Sequence, residues 1–175
     1  MSAQDFSPAR NRLSRYTGNP FLEIVRLTPE WKEGLQQFLH DIKAGGEDVF
    51  FYPHAADTDV IFRLASRDNK DLHYLIVEQG KVLGYGLLRG WGEGYLIPSL
   101  GLAIHPLERG HGLGMMLMDF LHLLAARRGA DIVRLRVREN NEKALNLYKN
   151  LGYFFEKDAD QDCFLVGFKK MGRKL

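Results

Sequence analysis

The chain has 175 residues, of which 45% are hydrophobic and 26% charged, proportions typical of a globular protein large enough to bury a two-sided core. The formal net charge of +2 is too small to indicate a nucleic-acid partner, and no basic stripe with interleaved aromatic residues is present. The single cysteine, Cys163, excludes an intramolecular disulfide and favours a reducing, cytoplasmic compartment.

The N-terminal segment, residues 1–20, is polar and rich in arginine, and it has no hydrophobic period. It lacks the apolar stretch of a signal peptide, so we expect a flexible leader. The most apolar segment, 115–126, is interrupted by Asp119 and His122 and is too short to cross a bilayer. These patterns predict one domain over residues 21–175, with no membrane partner.

The first elements after this leader are a strand and two helices. Residues 21–27 have the pattern of a strand. Thr28 is placed to cap the helix that follows, with Pro29 at its first position and Gly45-Gly46 at its end. A second helix is predicted over 57–66, capped by its first residue.

The hydrophobic period then changes to two. Residues 72–78 and 82–90 flank Gln79-Gly80-Lys81 and predict a β-hairpin. Residues 95–105 predict a third strand, which contains a proline and a glycine. Because a central strand rarely contains proline, we expect an irregularity or a bulge between residues 98 and 102.

The C-terminal half alternates helices and strands. A helix is predicted from near Leu113, followed by a strand over 131–137 and a helix over 141–152. Two further strands are predicted over 153–157 and 162–170. The order of elements predicts a mixed sheet with helices on its faces.

The loop before the third helix is rich in glycine. Gly110, Gly112 and Gly114 alternate between a strand that ends near His105 and the helix. Such glycines let a ligand approach the unpaired N–H groups of the first helical turn, which attract anions. A Walker loop needs a lysine and a hydroxyl residue here, and a dinucleotide fingerprint needs a third glycine three residues after the second; neither is present. The loop is therefore either another kind of phosphate site or a plain tight turn.

The residues around this loop resemble a known family. Arg109 begins the pattern R-x-x-G-x-G, and Asn141 begins N-x-x-A-x-x-L-Y-x-x-x-G-Y after one further predicted strand. Both motifs resemble those of the GNAT superfamily of acyl-CoA-dependent N-acetyltransferases. The resemblance implies a single-domain α/β (α+β) fold. Its sheet would be mixed and mostly antiparallel, with about seven strands, a splayed central strand pair and about four flanking helices.

The resemblance also implies acetyl-CoA as the cosubstrate, bound without a metal. Loop amides would take its pyrophosphate, and backbone groups of the strand before the loop would bind its pantetheine arm. Asn141 would cap the helix that it begins, contact the cofactor, or do both. The implied cofactor-binding residues are Leu102, Ala103, Ile104, Arg109, Gly110, His111, Gly112, Leu113, Gly114 and Asn141.

Three residues are candidates for catalysis. Tyr148 matches the family's tyrosine that protonates the departing thiolate, although a core role on an amphipathic helix is the alternative. The amine must lose a proton before it attacks the thioester, and Glu93, His54 or a water relay would accept it. No G-x-S-x-G nucleophile motif is present, so we expect direct attack by the amine.

The sequence is compatible with several acceptors of the acetyl group. The expected one is a primary amine of a small molecule, and an amino sugar is suggested because "FYPH" and "RGWGEGYLIPSLGLAIHP" loosely resemble family members of that kind. The alternatives are a protein amine, or a non-catalytic module that binds acyl-CoA. A homodimer is compatible with each of these.

Two further features bear on the acceptor. Arg134, Arg136 and Arg138 alternate along one strand, either as a solvated face or as a basic wall for an anionic acceptor. Trp91 and its aromatic neighbourhood form either the floor of a sugar site or a β-turn with surface aromatics.

Overall fold

The computed structural model describes residues 21–46, 51 and 53–172; the leader predicted for 1–20 lies outside them. Within these residues, seven strands form one sheet in the order β1-β2-β3-β4-β5-β7-β6, which confirms the predicted fold class. The strands are β1 (Glu23–Arg26), β2 (Leu72–Glu78), β3 (Lys81–Arg89), β4 (Ser99–Ile104), β5 (Ile132–Arg138), β6 (Phe154–Lys157) and β7 (Phe164–Lys170). The α-helices are α1 (Lys32–Ala44), α2 (Thr58–Leu64), α3 (Leu113–Arg127) and α4 (Glu142–Asn150).

The first two helices begin differently from each other. The Asp57 carboxylate accepts the backbone N–H groups of Asp59 and Val60 at 2.8 and 3.3 Å, so the predicted cap of α2 is confirmed. The predicted cap of α1 is wrong, because Thr28 makes no side-chain capping bond and a 3-10 turn, Pro29–Trp31, precedes α1. That turn is closed by the backbone instead, since the Trp31 N–H donates to the Thr28 carbonyl at 3.0 Å.

The β2–β3 hairpin is confirmed. Gln79 and Gly80 both have left-handed backbones, with φ of 51° and 75°, as a two-residue type I′ turn requires. Lys81 therefore begins β3 instead of belonging to the turn. The β2–β3 ladder has one irregularity, between Ile76 and Val77.

Strand β4 separates the two halves of the sheet. It begins only at Ser99, and its ladder with β3 runs without interruption from there to Ile104, so the irregularity expected between 98 and 102 is not a bulge against β3. The irregularity lies on the other edge, where β4 pairs with β5 only at Ser99–Arg134 and Leu100–Leu135. This is the parallel pair of an otherwise antiparallel sheet. Past Leu100 the two strands diverge, which is the predicted splay.

Two hydrophobic clusters hold the helices on opposite faces of the sheet. One cluster joins α1 and α2 to strands β2 to β4 and is centred on Phe38, Leu75 and Tyr85. The other joins α3 and α4 to the central strands through Leu117, Val133 and similar residues. The splay between β4 and β5 therefore lies between these two layers of helices. Among the described residues, no helix has the length and apolar character needed to span a membrane.

Two buried histidines lie within these layers. His73 on β2 and His122 on α3 are 4% and 9% exposed, and each lies 2.7 Å from a tyrosine hydroxyl, that of Tyr85 or of Tyr153. Burial lowers the pKa of both imidazoles to about 4, because a charged ring would lose its hydration.

This burial makes the stability of the protein depend on pH. Between pH 6.5 and 4, His73 and His122 bind protons in the unfolded chain but stay neutral in the folded protein. The free energy of unfolding therefore falls as the pH is lowered. The loss approaches about 1.4 kcal/mol per pH unit for each histidine. Thermal melts from pH 7 to 4.5 should therefore show a falling Tm, with a shallower fall for His122→Gln. The exposed His40, as His40→Gln, is the control; equal slopes in all three proteins would contradict the assignment.

Candidate active site

The loop between β4 and α3 places glycines, which have no side chains, at the start of a helix. Gly110 and Gly112 have φ of 84° and 82°, a left-handed conformation that other residues adopt only at a cost. Among the described residues nothing lies within 4 Å of the position that a Cβ would take at either glycine. Gly112 is the N-cap of α3 and offers no side chain to its first turn. The first N–H groups of α3 are therefore open to an anionic ligand.

Arg109 fixes this loop to the strand before it. Its Nε–H donates to the Ile104 carbonyl at 3.2 Å, at the end of β4. His111, in contrast, is 67% exposed, and its Nδ1 lies 3.8 Å from the Glu108 carboxylate. The arginine thus helps to shape the loop, whereas the histidine projects towards solvent.

A cleft of about 570 Å³ opens between β4, the loop and α4. Past Leu100, residues 101–104 of β4 have no ladder partner on β5, so the backbone on that edge faces the cleft. Nine of the predicted site residues line it: Leu102, Ala103, Ile104, Arg109, Gly110, Leu113, Gly114, Asn141 and Tyr148. Four do not: Gly112, His111, Glu93 and His54.

The cleft also contains residues that the sequence motifs do not include. They come from the segment before α2, from Gly101 and from the end of β5 and the start of α4: Phe51, Gly101, Arg136, Val137, Asn140, Lys143 and Leu147. Lys143 and Leu147 lie inside the motif that Asn141 begins, and Asn140 directly precedes it, so this motif was the signal for those three. Phe51 and Arg136 are distant in sequence and reach the cleft through the tertiary fold.

The α4 helix contributes Tyr148 and Asn141. The Asn141 side-chain oxygen Oδ1 accepts the Ala144 N–H at 3.2 Å, so this residue caps α4. Tyr148 is only 8% exposed, and burial raises its pKa to about 12 because the phenolate would be poorly solvated. Its hydroxyl is consequently protonated throughout the neutral and mildly alkaline range.

Glu93 lies in the exposed turn that follows β3. The Asp71 carboxylate organises this turn by accepting the N–H groups of Gly90 and Gly92, each at 3.0 Å. Trp91 of the same turn packs under the Arg128 guanidinium, 4.3 Å from its ring centroid, at the end of α3. The turn is therefore directed towards α3, and neither Glu93 nor Trp91 lines a cavity beside β4.

His54 belongs to a hydrogen-bonded chain on the α1/α2 face. Its Nδ1 lies 2.8 Å from the Ala55 carbonyl, and its Nε2 lies 2.9 Å from the Tyr85 hydroxyl, which also contacts His73 Nδ1. A carbonyl only accepts, so Nδ1–H of His54 donates to it. In the neutral ring Nε2 then accepts from Tyr85. Both nitrogens of His54 are thus engaged, and burial lowers its pKa.

A second cavity, of about 510 Å³, lies on the other side of the β4–β5 contact. Its walls come from β3 to β7 and include Arg89, Ser99 and Arg134. Arg136 lines both this cavity and the cleft. The two spaces are therefore neighbours, with Arg136 in the wall of each.

A parallel strand pair that opens beside a helix N-terminus preceded by glycines is the arrangement that the resemblance to acetyltransferases implied. The model of the "Acetyltransferase (GNAT) family" matches residues 35–153, more than half of the chain. The chain belongs to this family.

Solved structures with this fold are distant in sequence. The paia N-acetyltransferase from Thermoplasma acidophilum, in complex with coenzyme A, has a TM-score of 0.73 at 15% identity, over 86% of this chain and 99% of that one. The yncA protein from Salmonella typhimurium, with its cofactor acetyl-CoA, has a TM-score of 0.68 at 17% identity, over 87% and 95%. An N-acetyltransferase from Staphylococcus aureus Mu50 has a TM-score of 0.70 at 16% identity, over 87% and 99%. At these identities the likeness establishes the fold.

Proposed function

We propose that this protein transfers the acetyl group of acetyl-CoA to a primary amine of a small molecule by direct nucleophilic attack. One observation carries the proposal: the cleft at the splay combines an open helix N-terminus, unpaired strand backbone and the protonated Tyr148. The coenzyme A and acetyl-CoA complexes of two proteins with this fold support the choice of donor.

The residues of the cleft fit such a donor. The first N–H groups of α3 and the loop from Arg109 to Gly114 would hold its pyrophosphate without a metal. The left-handed glycines fit this role, because a side chain there would add strain and shield the amides. Leu102, Ala103 and Ile104 would offer backbone groups to the pantetheine arm. Asn141 and the exposed His111 stay predicted contacts of the donor.

Tyr148 would act as the general acid. Bound acetyl-CoA supplies an activated thioester: the amine nitrogen forms a bond to its acyl carbon, and the carbon–sulfur bond breaks. The amine gives up one proton in this exchange, and the departing sulfur takes one. The buried Tyr148 hydroxyl keeps its proton well above neutral pH, so it can donate to a basic thiolate.

We propose that the amine loses its proton to water. Glu93 lies in a turn outside both cavities, and both nitrogens of His54 already form hydrogen bonds. His54 then positions the segment around Phe51, since Phe51 contacts the Tyr85 ring that His54 anchors. The predicted basic roles of Glu93 and His54 are the competing alternatives.

The Glu93→Gln variant should distinguish these possibilities. We expect its kcat and its pH–rate profile between pH 6 and 9 to stay within about twofold of the wild type, because the carboxylate does not reach the cleft. Steady-state rates across this range are the measurement. A loss of kcat greater than about tenfold, with loss of the acidic limb of the profile, would restore Glu93 as the base.

The proposal as a whole is tested by calorimetric titration with coenzyme A and by thiol release from acetyl-CoA in the presence of an amine panel. Binding with turnover of at least one amine is the expected result. Binding without turnover of any amine would favour the non-catalytic module. If coenzyme A gives no more thermal protection than ATP or NAD, the donor assignment fails.

The size of the second cavity, about 510 Å³, favours a small acceptor over a protein chain. An amino sugar has less support, because Trp91, the expected aromatic floor, lines neither cavity and packs against Arg128 near α3. The cytoplasmic location and the homodimer stay predictions.

A further inference from the structure

The second cavity has an ordered arrangement of side chains on its floor. Arg89 is the ladder partner of Ser99 on one side, and Arg134 is its partner on the other. Cross-strand partners project to the same face, and adjacent strands lie about 4.8 Å apart. The Ser99 hydroxyl is therefore flanked by two arginine side chains on the face opposite α3.

The charge of these two arginines is not matched by a carboxylate within the described part of the chain. The Arg89 guanidinium donates to the Pro53 carbonyl at 3.1 Å, and the exposed Arg134 side chain makes neither a hydrogen bond nor an ion pair with any described residue. Arg136 differs, since its Nε lies 2.5 Å from the Asp158 carboxylate. The positive charge of the floor thus belongs to Arg89 and Arg134.

Apart from Asp158, which pairs with Arg136, the acidic residues of the cavity lie on its far side. Glu156 is on β6, two strands away from β5 in the sheet, and Asp160 follows it in the β6–β7 loop. They are well placed to discourage a second anionic group on the ligand. The cavity is therefore built for one anion, held near Ser99.

The same strand connects the anion position to the cleft. Gly101 is two residues beyond Ser99 on β4, at a separation of about 6–7 Å along the strand. Ser99 lines the second cavity and Gly101 lines the cleft. Without a side chain at Gly101, where a Cβ would be 3.4 Å from Phe51, a short ligand can pass from one space to the other.

We propose that the acceptor is a small amine with one anionic oxygen group, which Arg134 and Arg89 bind beside Ser99 while the amine reaches the cleft at Gly101. This inference rests on the proposed acetyl transfer and names the substrate class of that site. A carboxylate is the expected group, because guanidinium groups bind it through paired, charge-assisted hydrogen bonds. A sulfonate or a phosphonate shares this chemistry.

The test compares ω-amino acids of two to five carbons with their carboxamides, in wild type and in Arg134→Gln. In the wild type, kcat/KM for the best carboxylate should exceed that of its carboxamide by about tenfold or more. Arg134→Gln should remove most of this preference by lowering kcat/KM for the carboxylate far more than for the carboxamide, while the KM of acetyl-CoA stays within about twofold. Arg134→Lys should restore part of it. Aminoalkyl sulfonates and phosphonates in the same assay identify the preferred oxyanion.

Arg138→Gln is the matched control, because Arg138 is on the same strand and face but does not line the cavity; it should retain the preference. Equal turnover of carboxylates and carboxamides by the wild type would overturn the inference and leave the acetyl transfer intact. If no amine is turned over, ligand-observed NMR of amino-acid binding tests the anion site independently of turnover. Binding of the amino acids that weakens in Arg134→Gln supports the anion site, and equal or absent binding refutes it.

Discussion

The Tyr148→Phe variant should bind coenzyme A as tightly as the wild type and lose about 100-fold in kcat. The substitution removes one hydroxyl and leaves the ring, which packs 5.7 Å from the Tyr153 ring. If the hydroxyl donates a proton to the departing sulfur, its loss affects the transition state more than the bound ground state. Single-turnover rates and calorimetric binding of coenzyme A separate these two quantities.

The pH dependence of the wild type adds a second test of Tyr148. Burial raises the pKa of this phenol to about 12, so the proton needed for donation is present at every pH below that value. The rate should therefore not decline between pH 8 and 10, where a solvent-exposed tyrosine begins to ionise. An alkaline decline in the wild type that Tyr148→Phe abolishes would contradict this assignment of the pKa.

Tyr153→Phe is the matched control, because it also deletes a buried tyrosine hydroxyl. That hydroxyl contacts His122 Nε2 at 2.7 Å and lies outside the cleft. We expect Tyr153→Phe to lose stability, by about 1 kcal/mol, and to keep kcat within about twofold. Should Tyr148→Phe behave in the same way, Tyr148 is a core residue of α4 and another group protonates the thiolate.

Local sequence patterns predicted most elements of the fold because each has a local cause. The hairpin follows from two residues that accept a left-handed backbone, Gln79 and Gly80. The start of α2 follows from the Asp57 side chain, which satisfies two N–H groups. No bulge forms against β3 near Pro98 for a related reason: a proline just outside β4 leaves the β3 ladder undisturbed.

The sequence contained only partial signals for the splay and for the residues that make up the site. The β4–β5 divergence depends on how two distant strands pair, so the sequence predicted it through family resemblance, with Pro98 and Gly101 as its own hints of an irregularity. Within the cleft, the motifs identified residues that are close in sequence, such as Gly110 and Tyr148. The motifs missed Phe51, which reaches the site across a sheet face. They also did not predict which way the turn that carries Glu93 points. The direction of a turn depends on tertiary partners, here Asp71.

Introducing a carboxylate at Gly114 should stabilise the protein and abolish its binding of coenzyme A. Gly114 lies in the first turn of α3 and lines the cleft. A Cβ there would be 3.6 Å from Leu147 and 3.8 Å from Ile104, which are ordinary contacts. Gly114→Glu replaces a poor helix former and adds a negative charge near a helix N-terminus, and together these changes contribute about 0.5–1.5 kcal/mol of stability.

The same charge opposes a pyrophosphate on the first N–H groups of α3. We therefore expect Gly114→Glu to raise the Kd of coenzyme A by about 100-fold or more, while its Tm increases. Gly114→Gln has nearly the same shape without the charge, so its smaller loss measures steric exclusion, and the Glu-to-Gln difference should shrink at high salt. Gly114→Ala should bind almost as the wild type does.

Because stability and affinity move in opposite directions, unfolding cannot account for the lost binding. Unchanged affinity in Gly114→Glu would remove the pyrophosphate from this loop and, with it, the basis for acetyl-CoA as the donor.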